Sequence, residues 1–411
     1  MIFILTFIII FLGRVNSSIF GYELLNTDEF IIGAKAMRLI DGVSFTKFDG
    51  ATSGILNAFF LTWPALFNLD ITYISIRISA VLAISLVIYF VYKIISRQLD
   101  KKLSILLITP LILFFSLTKD PDFLHYTNEL ISILLIVAAL NFYFQKFENQ
   151  DSLSLIVVSI LLGLVIFAKM QFFPIACLVI VFINFKLLFL DKKFYKVLQS
   201  SIAFFFPIIF VSTFHYLDNE LKDLFYNVIH FPLSDFLSRN QIAEEDLIVG
   251  SNSIKSVITG SKKTVLINHL LINSVFHMFY LYFVFFIFLT INFFKNSKSL
   301  IFNSFLDFKI LMLSSIIILT NLIIIITGSV HRHYLINLIP IVPIFIGYFI
   351  KYNKTKNIIK KFSCNNFLIF LTIMFSTSLL FENKKFFSDN FVYKNIKDNE
   401  VSFKSPELFK Y

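Results

Sequence analysis

Four clusters of polar and charged side chains interrupt an otherwise very apolar chain, and they hold the residues whose types could do chemistry. The first is Thr27-Asp28-Glu29, which precedes a stretch from Phe30 to Ile40 whose apolar residues have roughly helical spacing. One of two adjacent carboxylates at a helix start can act as a general base, and Asp28 also suits the N-cap position. The alternative interpretation is a capped interfacial helix whose acidic side chains are solvated.

The second cluster reads His125-Tyr126-Thr127-Asn128-Glu129. His125 and Glu129 are four residues apart, so they share one face if the apolar helix that follows begins early. Glu129 then lies at the mouth of that helix. A merely polar helix entrance is the alternative.

The third cluster is Lys169 and Gln171, which break a nearly continuous apolar stretch between Phe167 and Pro174. A lysine inside such a stretch is costly unless it is paired, lies in a wet cavity or reaches the lipid headgroups. The cluster therefore predicts either a buried partner for Lys169 or a snorkelling side chain.

The fourth cluster, His331-Arg332-His333-Tyr334, brings three basic or titratable side chains to the start of another apolar run. Such a group can hold a phosphate or anchor the chain to anionic headgroups. Two histidines alone do not make a metal site, so no metal ligands are assigned.

The elements that must position these clusters are membrane-spanning helices. The chain has 411 residues, of which 57% are hydrophobic and only 15% charged, whereas soluble domains carry about 25% charged residues. Apolar runs recur along its length, and about 20 apolar residues cross a bilayer core. We predict an all-α integral membrane protein, a polytopic bundle of about eleven transmembrane helices over residues 1–381 with a tail at 382–411. The predicted spans are Ile2–Leu12, Ile71–Ile95, Leu103–Leu117, Leu130–Phe144, Leu153–Phe167, Phe172–Leu190, Val197–Leu217, Leu270–Phe294, Ile310–Thr327, Tyr334–Ile350 and Phe367–Phe381.

Lysine and arginine residues concentrate in alternate short loops, which places those loops in the cytoplasm. The same pattern explains the net charge of +10 without a nucleic-acid partner. The amino terminus is then cytoplasmic, and residues 13–70 and 218–269 form two long extracytoplasmic loops. Within the first loop, the apolar stretch 52–69 predicts an interfacial or re-entrant helix. All four polar clusters fall on the extracytoplasmic side.

The predicted location of all four clusters on one side of the membrane is the main indication of function, because the clusters come from distant parts of the chain. A carboxylate can deprotonate a hydroxyl acceptor, and lysine, arginine and protonated histidine can stabilise a phosphate leaving group. The combination predicts transfer of a group from a phosphate-linked donor at the membrane surface.

These residues resemble the GT-C class of membrane glycosyltransferases, the class of protein O-mannosyltransferases and the lipid A aminoarabinose transferase. More narrowly, the chain resembles a largely uncharacterised bacterial subgroup of that class. The matching segments run in order from residue 1 to about 350, and besides the four clusters they include Asp49-Gly50-Ala51-Thr52-Ser53-Gly54-Ile55-Leu56-Asn57.

The resemblance implies an inverting transferase of the bacterial inner membrane. It would move a sugar from a polyprenyl-phosphate donor to a glycan, lipid or protein acceptor in the cell envelope. Asp28 would be the general base, Glu29 would orient it or contact the acceptor, and Glu129 would be the second acidic position. The donor phosphate would be held by Lys169, Arg332, His331 and His333, with Tyr334 along the donor groove. The acceptor and loop positions would be Thr52, Ser53, Asn57, His125, Tyr126 and Gln171. No cofactor is assigned, and a divalent metal ion stays open.

Two other classes fit parts of the pattern. A surface-glycan polymerase or ligase of another membrane family would also have long outer loops, but it would rely mainly on arginine and histidine. A transporter of lipid-linked glycans would place charges at mid-membrane and show pseudo-symmetric halves. Few charges interrupt the predicted spans, with Arg77 and Lys186 as the exceptions.

Overall fold

The chain is helical throughout its described part. The computed structural model describes residues 2–15, 19, 27–44, 54–118, 123, 125–145, 151–230, 305–326 and 332–356. No β-strand occurs among these residues, which confirms the all-α prediction for this part of the chain. The predicted spans Leu270–Phe294 and Phe367–Phe381, the loop beyond residue 230 and the tail at 382–411 lie outside it.

Thirteen α-helices occur among the described residues. In chain order they are α1 (Ile2–Arg14), α2 (Thr27–Ile40), α3 (Ile55–Phe60), α4 (Tyr73–Ile95), α5 (Lys101–Leu117), α6 (Glu129–Gln145), α7 (Ser152–Gly163), α8 (Val165–Ala168), α9 (Phe173–Phe185), α10 (Phe194–Leu217), α11 (Leu221–Phe225), α12 (Phe305–Ile326) and α13 (Ile341–Lys356). Short 3-10 helices cover Trp63–Phe67, Met170–Phe172 and Arg332–Asn337, and π-helical turns cover Lys186–Leu190 and Tyr226–His230.

Four helical segments are long and apolar enough to cross a membrane, namely Tyr73–Ile95, Met170–Leu190, Phe194–Leu217 and Tyr334–Tyr352. Several shorter apolar helices accompany them. The spans predicted within the described residues overlap helical segments, although Leu153–Phe167 covers both α7 and α8, and Tyr334–Ile350 covers part of a 3-10 helix and part of α13. A long apolar run favours helix because a helix satisfies its own backbone polar groups where water is scarce.

Local chemistry explains where several helices begin. Thr72 and Ser75 form a reciprocal capping box at the start of α4, and the Asp100 carboxylate accepts a hydrogen bond from the Leu103 N–H at the start of α5. The prediction that Asp28 occupies the N-cap position is wrong. Helix α2 begins at Thr27, so Asp28 and Glu29 both lie in its first turn, where negative charge is favoured by the helix dipole.

The helices form a bundle with two distinguishable ends. At one end α4 and α6 begin and α1 and α5 finish; we call it the site end. At the other, the far end, α4 and α6 finish and α7 and α10 begin. There the Arg97 guanidinium donates to the Asn141 carbonyl over 2.9 Å, and the Lys309 ammonium lies 5.6 Å from the Phe144 ring centroid.

Candidate functional site

A buried ion pair joins α2 to α4 at the site end. The Arg77 guanidinium donates to both carboxylate oxygens of Glu29 over 3.1–3.2 Å, and both side chains are almost completely buried. Burial raises the pKa of the Glu29 carboxyl, whereas the charge of Arg77 and hydrogen bonds from Arg77 and the Tyr126 backbone lower it. The pair ties the helix that carries Asp28 to the bundle.

His125 and Tyr126 lie against this ion pair. The His125 Nδ1 atom is 3.8 Å from Glu29 Oε2, and the Tyr126 hydroxyl donates to the Asn57 carbonyl over 3.1 Å. The prediction that His125 and Glu129 share a helix face is not met, because α6 begins at Glu129. His125 therefore precedes α6 and lies near Glu29 of the first cluster instead.

A second buried ion pair joins α6 to the break between α8 and α9. The Lys169 ammonium lies 3.0 Å from Glu129 Oε1 and 5.5 Å from the centroid of the Tyr334 ring. Burial lowers the pKa of Lys169, but attraction to Glu129, Tyr334 and Asp28 outweighs this and raises it overall. A buried partner therefore exists for the lysine that interrupts an apolar stretch.

Lys169 owes its position to a clamp on the preceding carbonyl. The helix ends at Ala168, and Lys169 has an extended backbone, so the Ala168 carbonyl turns away from its own helix. It accepts hydrogen bonds from the Gly54 N–H over 3.2 Å and from the Asn57 side-chain amide over 2.6 Å. A Cβ on Gly54 would lie 2.0 Å from the Phe167 carbonyl oxygen, so the close approach requires glycine.

Asp28 differs from the other two site carboxylates in its exposure. It is half-buried, whereas Glu29 and Glu129 have no exposed side-chain surface. Lys35, on α2 two turns further along, interacts electrostatically with Asp28 and with Lys169. The pKa of Lys35 is lowered to about 8, mainly by burial; Asp28 opposes this lowering and Lys169 contributes to it. One accessible carboxylate thus lies within the electrostatic range of two buried ammonium groups.

Several buried polar atoms at this end have no hydrogen-bond partner among the described residues. They are Asn57 Oδ1, Thr127 Oγ1, Asn128 Oδ1 and Gln171 Oε1. A buried polar group without a partner costs about 1–3 kcal/mol unless water or a ligand completes it. The site end therefore has capacity for a ligand rich in hydrogen-bonding groups.

The structure brings together most of the residues singled out from the sequence. Asp28, Glu29, Asn57, His125, Tyr126, Glu129, Lys169, Gln171 and Tyr334 lie at the site end. Arg332 and His333 lie in the 3-10 helix Arg332–Asn337, which leads into α13; the structure describes their backbone but not their side chains. Thr52, Ser53 and His331 lie outside the described residues altogether.

The sequence analysis assigned no role at this site to three basic residues, although it noted Arg77 as a charge within a predicted span. Arg77 interrupts an apolar span one turn from its start, which already signals a need for a buried partner. Lys35 lies seven residues after Asp28, the spacing of one helix face. Arg14 ends α1 and donates to the Phe115 and Phe123 carbonyls over 2.7 and 2.6 Å; its adjacency to an apolar run was its only signal.

The described residues contain no group of three or more histidine, cysteine, aspartate or glutamate side chains placed to hold a metal ion. Comparison with known families found no family model that matches this chain, and comparison with curated proteins found no match either. The geometry and charge of the site are therefore the basis for inferring function.

Proposed function

We propose that the protein is a membrane glycosyltransferase that moves a sugar from a polyprenyl-phosphate donor to an acceptor in the cell envelope. The observation that carries the proposal is the half-buried Asp28 carboxylate beside Lys35 and Lys169 at one end of an apolar bundle. A base next to cations is what deprotonation of an acceptor hydroxyl and departure of a phosphate require together.

Each part of the site has a role in this proposal. Asp28 takes the proton from the acceptor hydroxyl as that oxygen attacks the anomeric carbon, with inversion, and the donor phosphate leaves as an anion. Glu29 holds α2 in place through Arg77, and Glu129 orients Lys169 toward the leaving phosphate. Arg332, His331 and His333 add positive charge on the donor side, and Tyr334 borders the donor groove.

The surroundings support a lipid-linked sugar as donor. Unpartnered amide and hydroxyl groups at the site end match the hydroxyl groups of a sugar, and the apolar helices suit a polyprenyl chain. In the full proposal about eleven helices span the bacterial inner membrane, the amino terminus is cytoplasmic and the site end is extracytoplasmic. The proposal leaves the sugar, the acceptor and a divalent metal ion open.

The test compares wild type with Asp28→Asn in detergent, using radiolabelled polyprenyl-phosphate sugars and a membrane extract as acceptor pool. We expect wild type to consume at least one donor and release polyprenyl phosphate, and Asp28→Asn to turn over at least about a hundredfold more slowly, the scale of a lost general base. Asp41→Asn is the matched control, because Asp41 is an exposed acid directly after the same helix.

The outcomes distinguish an error in the transferase class from an error in the role given to Asp28. No donor consumption by wild type across a broad panel of sugars would refute the transferase proposal. Equal turnover by wild type and Asp28→Asn would be compatible with a transferase but would show that Asp28 is not the general base. A loss of activity in Asp41→Asn would point to disturbance of α2 rather than to chemistry at Asp28.

A transporter of lipid-linked glycans is the second candidate, and one observation favours it. Arg77 lies in α4, a helix long enough to cross a membrane, and forms a buried charge pair with Glu29 of α2; buried charges in such helices are common in transport pathways. Movement of a labelled lipid-linked glycan across proteoliposomes without bond cleavage would support this candidate over the transferase.

A further inference from the structure

Three side-chain contacts close a ring at the site end. The Asn57 side-chain amide donates to the Ala168 carbonyl over 2.6 Å, and the Tyr126 hydroxyl donates to the Asn57 carbonyl over 3.1 Å. The Lys169 ammonium lies 3.0 Å from Glu129 Oε1. Ala168 is bonded directly to Lys169, and a short stretch of backbone joins Tyr126 to Glu129. The contacts and these pieces of backbone form one closed circuit, which we call the contact ring.

Three side chains of the contact ring keep a buried oxygen without a hydrogen-bond partner among the described residues. The atoms are Asn57 Oδ1, Thr127 Oγ1 and Asn128 Oδ1, and each of these residues is at most 3% exposed. The Asn57 nitrogen is used by the Ala168 carbonyl, which fixes Oδ1 as the amide atom that stays available. Asn128 directly precedes α6, the position from which a side chain normally caps a helix, yet its oxygen caps none of the helix N–H groups. The described part of the fold therefore makes no use of these three oxygens.

The chemistry of the three oxygens restricts what can bind them. An amide oxygen only accepts hydrogen bonds, whereas a threonine hydroxyl accepts or donates. A phosphate or a carboxylate presents negatively charged acceptor oxygens, so it would face the two amide oxygens without forming a hydrogen bond to either. A sugar presents O–H donors instead. Three buried acceptors that belong to one contact ring therefore match neighbouring hydroxyl groups of an uncharged sugar.

We infer that Asn57, Thr127 and Asn128 bind the hydroxyl groups of the donor's sugar and select an uncharged sugar, while Lys169 faces the donor phosphate. The inference rests on the proposed function and adds to it a division of the site between two parts of one donor molecule. A sugar joined directly to a phosphate needs its two sets of binding groups side by side. The contact ring provides this, because Asn128 is bonded to Glu129, the partner of Lys169. Asn57 then serves the donor sugar, whereas the family resemblance would place it with the acceptor.

The test measures the binding of two probes to the purified full-length protein in detergent by isothermal titration calorimetry. One probe is farnesyl phosphate. The other is the same lipid phosphate joined to mannose, galactose, glucose or arabinose, whichever wild type binds most tightly. We expect Thr127→Val to weaken binding of the sugar-bearing probe about tenfold, the scale of one hydrogen bond to a buried group, and to leave the Kd for farnesyl phosphate unchanged. Its Tm should equal or exceed that of wild type, because valine has the same shape and only a buried hydroxyl without a protein partner is lost.

Two further variants and one charged probe complete the test. Asn128→Leu should show the same selective loss for the sugar-bearing probe. Ser85→Ala is the matched control: Ser85, in α4, also has a buried hydroxyl without a partner among the described residues, but it is no part of the contact ring. This variant should bind both probes as wild type does. Farnesyl phosphate joined to glucuronate should bind wild type more weakly than the probes with uncharged sugars do.

The outcomes distinguish a wrong donor class from a wrong sugar site. Failure of wild type to bind either probe would refute the lipid-phosphate donor and this inference with it. Where wild type binds both probes, an equal effect of Thr127→Val and Asn128→Leu on the two Kd values would overturn the sugar assignment and leave the donor class intact. A raised Tm with both Kd values unchanged would show that the Thr127 hydroxyl meets only ordered water, and tighter binding of the glucuronate probe would also overturn the inference.

Discussion

The three carboxylates of the site differ in their surroundings, although two of them are neighbours in the chain. Glu29 is held by Arg77 and Glu129 by Lys169, and both are completely buried. Asp28 keeps part of its surface accessible. Buried carboxylates with close cationic partners stabilise positions in the fold, because either charge left alone would be costly. The site thus contains two carboxylates that are fully buried in ion pairs and one, Asp28, that keeps part of its surface exposed.

The Glu129–Lys169 pair can be tested by removing one charge. We expect Glu129→Gln to lower the free energy of unfolding by about 3–5 kcal/mol, because the Lys169 ammonium would stay buried without its carboxylate. The Tm of the purified variant in detergent measures the loss. The double variant Glu129→Gln/Lys169→Met should lie closer to wild type than the single variant does. A single variant as stable as wild type would show that the pair contributes little.

At the scale of elements, the important feature is the interruption between α8 and α9. In a continuous helix, the Lys169 side chain would point in another direction around the helix axis. The Ala168 carbonyl would then accept a hydrogen bond from within its own helix. The break turns the Ala168 carbonyl toward α3, where Gly54 and Asn57 bind it. Gly54 and Asn57, at the start of α3, therefore help to set where the Lys169 ammonium lies, although neither residue carries charge.

Substitution of Gly54 tests this clamp. We expect Gly54→Ala to lower the Tm strongly and to reduce donor turnover, because its Cβ would overlap the Phe167 carbonyl and push α3 from the break. Gly42→Ala is the control: Gly42 has a φ of +77° but no atom within 4 Å of an added Cβ. Its cost should be about 1 kcal/mol, from backbone strain alone. Similar losses in both variants would contradict the clamp.

The whole molecule keeps its charged pairs at two ends of an apolar bundle. The site end holds the carboxylates with Lys35, Arg77 and Lys169, while the far end holds lysines with fewer acids. This polarity matches a chain that crosses a bilayer with its lysine-rich loops in the cytoplasm.

Single cysteines at the two ends test the orientation. In a variant without Cys177 and Cys364, Asp70→Cys marks the site end before α4, and Lys101→Cys marks the far end at the start of α5; both positions are exposed. We expect a membrane-impermeant maleimide to label Asp70→Cys in intact cells and Lys101→Cys only after the membrane is disrupted. The reverse pattern would place the site end in the cytoplasm and refute the proposed orientation.

The amino-acid sequence by itself determined which segments become helices. Long apolar runs must satisfy their own backbone groups, and that is a local property, so the spans predicted from Ile71 to Leu217 coincide with helices in the structure. The sequence also singled out nine side chains that the structure places at the site end, some because charged residues interrupt apolar runs and others through the family resemblance. Only the tertiary structure decided the pairing. Glu29 pairs with Arg77, and Lys169 pairs with Glu129. His125 lies near Glu29 rather than near Glu129. Such pairs join helices far apart in the chain, and their geometry depends on helix packing and on the break at Lys169, which no local pattern encodes.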